Sequence, residues 1–226
     1  MDENRASDII IIGYQYSGTD VLEKLIRQLT EVPSPYNNKV QQQLPCYHGN
    51  PAQYDDIPVS TKVIFIIRNI KDIAVNLYKR WYNEDPTHFE DFLINQTLFS
   101  DTVNKWCDHI KEWKIKLSQH PTSNLHLIYY TDLIKNCEVE TKKLCEFLNV
   151  RKDNTEIMRV STLIMKEEEQ PQRKRRRTDH NHDSISIYDE DGIWKQYFTV
   201  SQKEQVDSFL TNLLQTTNID IIKLLS

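Results

Sequence analysis

The chain has 226 residues, of which 38% are hydrophobic, 10% are aromatic and 27% are charged, and its formal net charge at pH 7 is −5. This length is sufficient for one domain with a sizeable core, and the composition is typical of a soluble globular protein. The overall acidity argues against broad binding to a nucleic-acid backbone, and no apolar run reaches the roughly 20 residues that a membrane-spanning helix needs.

Cysteine usage and the start of the sequence predict the compartment. The four cysteines are scattered and none forms a C-x-x-C pair. Residues 1–7 are polar and contain no apolar core of a secretory signal. Both features predict reduced thiols and a cytoplasmic location.

Three short, apolar, β-branched segments predict buried parallel strands at residues 8–12, 62–67 and 124–130. Each is followed by a helical pattern, at residues 21–29, 70–81 and 131–148, with Asn149 as a left-handed cap of the last one. Two further helices are predicted at residues 89–98 and 101–117. Strands that alternate with helices predict an α/β fold with a central parallel sheet in three layers.

The first strand leads into the outline of a phosphate-binding loop. Gly13 and Gly18 enclose four residues, and Thr19 follows directly at the start of a helix. Ligands of parallel sheets bind at the carboxyl ends of the strands, where this loop and Arg68 both lie. The loop contains no lysine.

Two segments are predicted to be irregular. Residues 30–61 are rich in Pro, Gln and Asn. Residues 166–191 contain few residues that could be buried and predict a mobile charged loop. The basic run at residues 173–177 in this loop resembles a nuclear-import signal and could also contact nucleic acid. Beyond it, Ser201 and Glu204 have the spacing of a capping box and predict the start of a final helix, which ends at about residue 214.

Four separated segments, taken in order, resemble the cytosolic sulfotransferase family, which transfers a sulfonate from 3′-phosphoadenosine 5′-phosphosulfate (PAPS) to a hydroxyl or amine. Residues 14–19 are similar to the loop T-Y-P-K-S-G-T-T of that family. Residues 63–81 (VIFIIRNIKDIAVNLYKRW), 127–148 and 194–209 (WKQYFTVSQKEQVDSF) are similar to three further elements. The resemblance implies a P-loop-like sulfotransferase fold in a single domain over residues 1–226, shorter than is usual for the family.

The resemblance also implies a binding site for PAPS or for its product PAP, with no metal ion. The expected cofactor-binding residues, from the 5′-phosphosulfate to the 3′-phosphate and the adenine, are Ser17, Gly18, Thr19, Arg68, Asn76, Tyr130 and Ser161.

The groups that catalyse the reaction of the family are replaced. Tyr16 stands where the family has its loop lysine, and Asp20 stands at the second loop threonine. Gln43 is the best counterpart of the catalytic histidine, with His48 as a possible substitute. Because losing one charge-stabilising donor costs about 10²–10³ in rate and losing a general base about 10²–10⁴, we expect weakened or lost PAPS binding and impaired catalysis. The segment at residues 187–191, where the family has an anion clamp, is acidic.

A short dimerisation motif is intact. Lys195, Thr199, Val200 and Glu204 resemble the family pattern K-x-x-x-T-V-x-x-x-E, in which lysine and glutamate pair across a two-fold axis.

Three hypotheses follow for the function. The first is a binding or regulatory homodimer with a crippled active site. The second is a working PAPS-dependent sulfotransferase that acts on a small-molecule acceptor with substitute groups such as His48 and the arginine run at residues 173–177. The third is a nuclear interaction protein that uses residues 173–177.

Overall fold

The computed structural model describes residues 9–30, 44–54, 56–82, 89–94, 96–169 and 192–214. Within these ranges, four parallel strands form one sheet in the order β2-β1-β3-β4. The strands are β1 (Ile9–Gly13), β2 (Cys46–Tyr47), β3 (Lys62–Ile67) and β4 (Leu125–Tyr129). The helices are α1 (Thr19–Thr30), α2 (Ile70–Tyr82), α3 (Phe89–Ile94), α4 (Gln96–Lys116), α5 (Tyr130–Lys135), α6 (Cys137–Leu148), α7 (Asn154–Glu169) and α8 (Val200–Leu214). This confirms the predicted α/β fold with a central parallel sheet.

Strand β1 is apolar along its whole length and β3 is apolar after Lys62, because helices cover both faces of the sheet at these two strands. On β1, Ile9 and Ile11 pack into a cluster with α1, α6 and α7. Ile10 and Ile12 point the other way and pack against Trp113 of α4. The alternation of a β-strand therefore gives three layers, with the carboxyl ends of β1 and β3 at one edge of the middle layer.

Strand β2 corrects the prediction that residues 30–61 are irregular. It has only two residues, and it exists because Cys46 and Tyr47 pair in register with Ile11 and Ile12 of β1. The backbone N–H of Ile11 also donates to the carbonyl of Pro45 at 2.9 Å. So short a strand has no alternation of its own, so the pairing with β1 defines it.

The helices differ from the sequence prediction at two places in the middle of the chain, and one predicted helix end is confirmed. The single helix expected at 131–148 is two helices, α5 and α6, because the backbone at Asn136 leaves the helical region with φ −129° and ψ 42°. The left-handed cap at Asn149 is confirmed, with φ 58°. Helix α4 begins at Gln96, five residues before the predicted start at Asp101.

The carboxyl-terminal half holds two further corrections. Helix α7 was not predicted, and it continues to Glu169, so the start of the expected loop at residue 166 is wrong. The rest of that loop, including the basic run at 173–177 and the acidic segment at 187–191, lies outside the described residues. The capping box of α8 is formed by Thr199 and Gln202, whose side chains accept from each other's backbone N–H at 3.3 and 2.8 Å, rather than by Ser201 and Glu204.

A buried ionic network joins α2 to the segment that contains α8. Lys71 is 0% exposed, and its ammonium group lies 2.6 Å from Asp207 and 4.1 Å from the ring centroid of Trp194. The neighbouring Asp72 accepts from the backbone N–H groups of Gly192 and Trp194 at 3.1 and 3.2 Å. The network fixes the start of α2, two residues after Arg68, against the carboxyl-terminal segment. No helix in the described ranges is long and apolar enough to cross a membrane.

Candidate functional site at the carboxyl edge of the sheet

The loop between β1 and α1 depends on both of its glycines. A Cβ at Gly13 would lie 2.7 Å from the side chains of Ile66 and Thr19. Gly18 has φ 87°, a left-handed conformation that favours glycine, and a Cβ there would overlap the ring of Tyr130. The glycine spacing therefore allows the loop to pass close to β3 and to lie flat on Tyr130.

The loop presents uncharged donors at a helix N-terminus. Ser17, Gly18 and Thr19 are all buried, and α1 begins at Thr19. The hydroxyl of Ser17 is fully buried and has no hydrogen-bond partner within the described part of the chain. Backbone N–H groups at a helix start, together with an unpaired buried hydroxyl, suit an anionic oxygen. The residues of the loop thus fit the 5′ end of a phosphorylated nucleotide.

Tyr16 brings no positive charge to this loop. Its backbone is left-handed, with φ 63°, and its ring packs against the hydrophobic cluster that contains Ile67 and Trp194. Its carbonyl oxygen accepts from Nη1 of Arg68 at 3.2 Å. Asp20, in the first turn of α1, is exposed. The donors of the loop that face an anion here are therefore neutral, and Arg68, bonded to the carbonyl oxygen of Tyr16, places a permanent cation beside them.

Arg68, which follows β3, contacts both the loop and the ring of Tyr130. It is 3% exposed, and its guanidinium carbon lies 4.1 Å from the ring centroid of Tyr130, in addition to its bond to the loop. Cation–π contacts of a buried guanidinium are worth up to about 2 kcal/mol. Arg68, Tyr130 and the loop, which the sequence predicted as one site, therefore lie together. Asn76 is fully buried in the second turn of α2.

Ser161 is used in a contact between helices. Its hydroxyl donates to Thr141 Oγ1 at 3.0 Å, and Thr141 in turn donates to the carbonyl of Cys137 at 2.6 Å. Ser161 is 5% exposed, so this chain of hydrogen bonds fastens α7 to α6 in the interior.

His48 lies at the same edge of the sheet as the loop. It directly follows β2, and its Nδ1 is 2.9 Å from the carbonyl oxygen of Gly13 at the end of β1. Because a carbonyl oxygen only accepts, Nδ1 is the donor in this bond, so the neutral ring has its lone pair on Nε2, which is the form that a general base requires. Gln43, the predicted counterpart of the catalytic histidine, lies outside the described residues.

Gly49, the residue after His48, is held by hydrogen bonds to α4 and to its own loop. The carbonyl oxygen of Gly49 accepts from Nε1 of Trp113 at 3.0 Å, and its N–H donates to the hydroxyl of Tyr54 at 3.2 Å. Lys116 donates to two carbonyl oxygens of the same loop, those of Pro51 and Tyr54, at 3.1 and 2.9 Å. These bonds hold the backbone at His48, and so the orientation of its ring.

A second histidine, His109 on α4, lies beside this group and was missed by the sequence analysis. Burial lowers the pKa of His109 to about 4. A hydrogen-bonding interaction with the backbone of Gly49 raises this pKa, and the Coulombic interaction with His48 lowers it further. The signal was present, because Trp106, His109 and Trp113 recur at helical spacing and so share one face. All three are at most 4% exposed.

The residues of the dimerisation motif lie on the surface. Lys195, Thr199 and Glu204 are exposed, and Val200 is 74% exposed at the first position of α8.

Comparisons with known proteins agree with this geometry. Residues 55–218 match the family model described as the sulfotransferase domain. The chain is 28% identical over 229 residues to sulfotransferase 1B1 of Mus musculus, covering 94% of this chain and 70% of that protein. It is 26% identical to sulfotransferase 2A1 of Mus musculus, covering 90% and 82%.

Two solved structures share the fold. The structure of mouse sulfotransferase SULT7A1 complexed with PAP superimposes with a TM-score of 0.67 at 21% identity, covering 95% of this chain and 86% of that one. That of retinol dehydratase in a complex with retinol and PAP gives a TM-score of 0.68 at 15% identity, covering 95% and 83%.

Proposed function

Since the chain belongs to the sulfotransferase domain family, we propose that it binds PAP and PAPS at the loop between β1 and α1. We further propose that it transfers sulfonate to a hydroxyl acceptor much more slowly than a relative with a lysine in this loop. The observation that carries the proposal is the pairing of a retained Arg68, bonded to the loop, with an uncharged Tyr16.

Nucleotide binding is supported by groups on both sides of the loop. The buried hydroxyl of Ser17 and the N–H groups at the start of α1 would hold the 5′ end, where PAPS carries its sulfonate on a phosphate. Arg68 adds a permanent charge at the neighbouring strand end, the position that the family uses for the 3′-phosphate. The PAP bound in two related structures supports the same nucleotide.

The weakness of the transfer step follows from charge. Negative charge builds on the leaving phosphate as the bond to sulfur breaks, and a cation at that point lowers the barrier. The ring of Tyr16 packs into the hydrophobic interior, and its carbonyl oxygen is already bonded to Arg68. A missing donor of this kind costs about 10²–10³ in rate, or about 3–4 kcal/mol. His48 still offers Nε2 as the base that removes the acceptor proton.

The test compares radiolabelled sulfonate transfer by the wild type, Tyr16→Lys and His48→Ala, with a panel of phenols and amines. We expect slow transfer by the wild type, a gain of about 10²-fold in Tyr16→Lys and a loss of about 10²-fold in His48→Ala. Gln15→Lys is the matched control, because Gln15 is the exposed neighbour and gains the same charge. Equal rates for Tyr16→Lys and Gln15→Lys would contradict the charge argument.

We also propose that the chain forms a homodimer through the motif at residues 195–204. The support is the exposure of an apolar side chain, Val200, between the exposed Lys195 and Glu204. A lysine and a glutamate on either side of an apolar residue are self-complementary across a two-fold axis.

A further inference from the structure

The start of α1 offers hydrogen-bond donors for one anionic group. The N–H of Leu22 makes the first hydrogen bond of the helix, to the carbonyl oxygen of Gly18 at 3.1 Å. The N–H groups of residues 19–21 therefore have no partner within the helix. The hydroxyl of Ser17, which is 0% exposed and has no partner among the described residues, is a further donor. Donors of this number at one helix end suit the oxygens of a single tetrahedral anion.

The turn before this helix adds no charge to the anion site. The N–H of Ser17 donates to the carbonyl oxygen of Tyr14 at 3.1 Å and closes a turn in which Tyr16 takes the left-handed position. The carbonyl oxygen of Tyr16 accepts from Arg68, and its ring packs against the hydrophobic interior. Tyr16 therefore supplies no cation to a second anionic group that is joined to the first.

The first turn of α1 instead carries a negative charge. Asp20 is an exposed carboxylate in this turn. Its electric field reaches β2: burial raises the pKa of the Cys46 thiol to about 12, the carboxylates of Glu23 and Asp20 add to this shift, and Arg27 opposes it. A second anion joined to the first thus gains no cation from the loop and is repelled by Asp20.

We propose that the site is selective for nucleoside 3′,5′-bisphosphates such as PAP over the phosphosulfate PAPS, and that Tyr16 and Asp20 cause this selectivity. The inference rests on the proposed function, in which the 5′ end of the nucleotide binds at this loop. The 5′-phosphate of PAP concentrates close to two negative charges on the one group that the donors hold. PAPS has one charge on that phosphate and another on the sulfonate beyond it. The 3′-phosphate, proposed to bind Arg68, is common to both nucleotides and does not contribute to the difference.

This selectivity determines what the chain holds when both nucleotides are present. A tenfold preference corresponds to about 1.4 kcal/mol, and at equal concentrations about ten sites then hold PAP for each site that holds PAPS. The chain is therefore a receptor for the bisphosphate. Its slow transfer step is limited further by PAP, because the product occupies the site that the donor needs.

The experiment is calorimetric titration of the full chain with PAP and with PAPS, without an acceptor, at pH 7.4 and fixed ionic strength. We expect the wild type to bind PAP about tenfold more tightly than PAPS. Tyr16→Lys supplies a cation and should bring the two affinities within about threefold of each other. Asp20→Asn removes the carboxylate charge at an exposed position and should lower the ratio by about half, so it decides the question if Tyr16→Lys fails to fold.

Gln15→Lys is the matched control, because it adds the same charge at the exposed neighbour of Tyr16. It should change both affinities alike and leave their ratio at the wild-type value. Equal affinities of the wild type for PAP and PAPS would overturn the selectivity. A ratio that neither Tyr16→Lys nor Asp20→Asn lowers, or that Gln15→Lys lowers as much as Tyr16→Lys, would overturn it as well. A wild type that binds neither nucleotide would instead overturn the proposed nucleotide site.

Discussion

The burial of His109 makes the stability of the protein depend on pH between about 6.5 and 4. Its pKa falls from 6.5 in the unfolded chain to about 4 in the folded one, mainly because burial disfavours the charged ring. The unfolded state therefore binds a proton that the folded state refuses, and the free energy of unfolding falls as the pH falls through 6.5 and levels off below 4. At 1.36 kcal/mol per pH unit the total loss is about 3 kcal/mol, of which about 2 kcal/mol falls between pH 7 and pH 5.

The assay is urea unfolding of the wild type and His109→Phe at pH 7 and pH 5. The wild type should lose about 2 kcal/mol more than the variant between these two values. Groups that titrate in both proteins cancel in the comparison, including His126, whose pKa is also lowered by burial. The same loss of stability in both proteins would refute the conclusion that His109 is buried in its neutral form.

Three further substitutions test the loop, the ionic network and the interface. Gly18→Ala should cost about 1–3 kcal/mol and weaken PAP binding, because its positive φ and the ring of Tyr130 exclude a Cβ; an unchanged melting temperature would contradict this. Asp207→Ala should cost about 3 kcal/mol in chemical denaturation because it leaves the buried Lys71 without this partner, and adding Lys71→Met should recover part of the loss; no recovery would contradict this. Val200→Glu should convert a dimer to a monomer in light scattering, and a monomeric wild type would remove the proposed interface.

The sheet shows which strands a sequence can predict. Strands β1, β3 and β4 were predicted to within one residue at each end. In β1 and β3 the signal is a run of β-branched residues that is mostly buried, whereas β4 is a short apolar segment that also contains His126 and the exposed Leu127. The short β2 has no such run and depends on its register with Ile11 and Ile12. The cap of α8 was predicted at Ser201 and lies at Thr199. Both residues have a polar partner three positions later, so only the backbone geometry distinguishes them.

The residues of the candidate site likewise fall into those that local sequence signals predict and those that only long-range packing places. The loop and Arg68 could be predicted because glycine spacing and the end of an apolar strand are local signals. His48 could not be distinguished from Gln43, because its position opposite Gly13 follows from the pairing of Tyr47 with Ile12. His109 depends on the packing of α4 over the sheet, a contact between residues that are distant in sequence.

The central claim is that the loop and Arg68 form a nucleotide site, and calorimetric titration with PAP tests it most directly. The wild type should bind PAP, and ligand at 100 times its dissociation constant should stabilise the fold by about 2.7 kcal/mol. Arg68→Met, which keeps an unbranched side chain over Tyr130, should bind at least tenfold more weakly, whereas Arg151→Ala, an exposed arginine after α6, should bind like the wild type. No binding at millimolar PAP, or equal affinity of the wild type and Arg68→Met, would contradict the account.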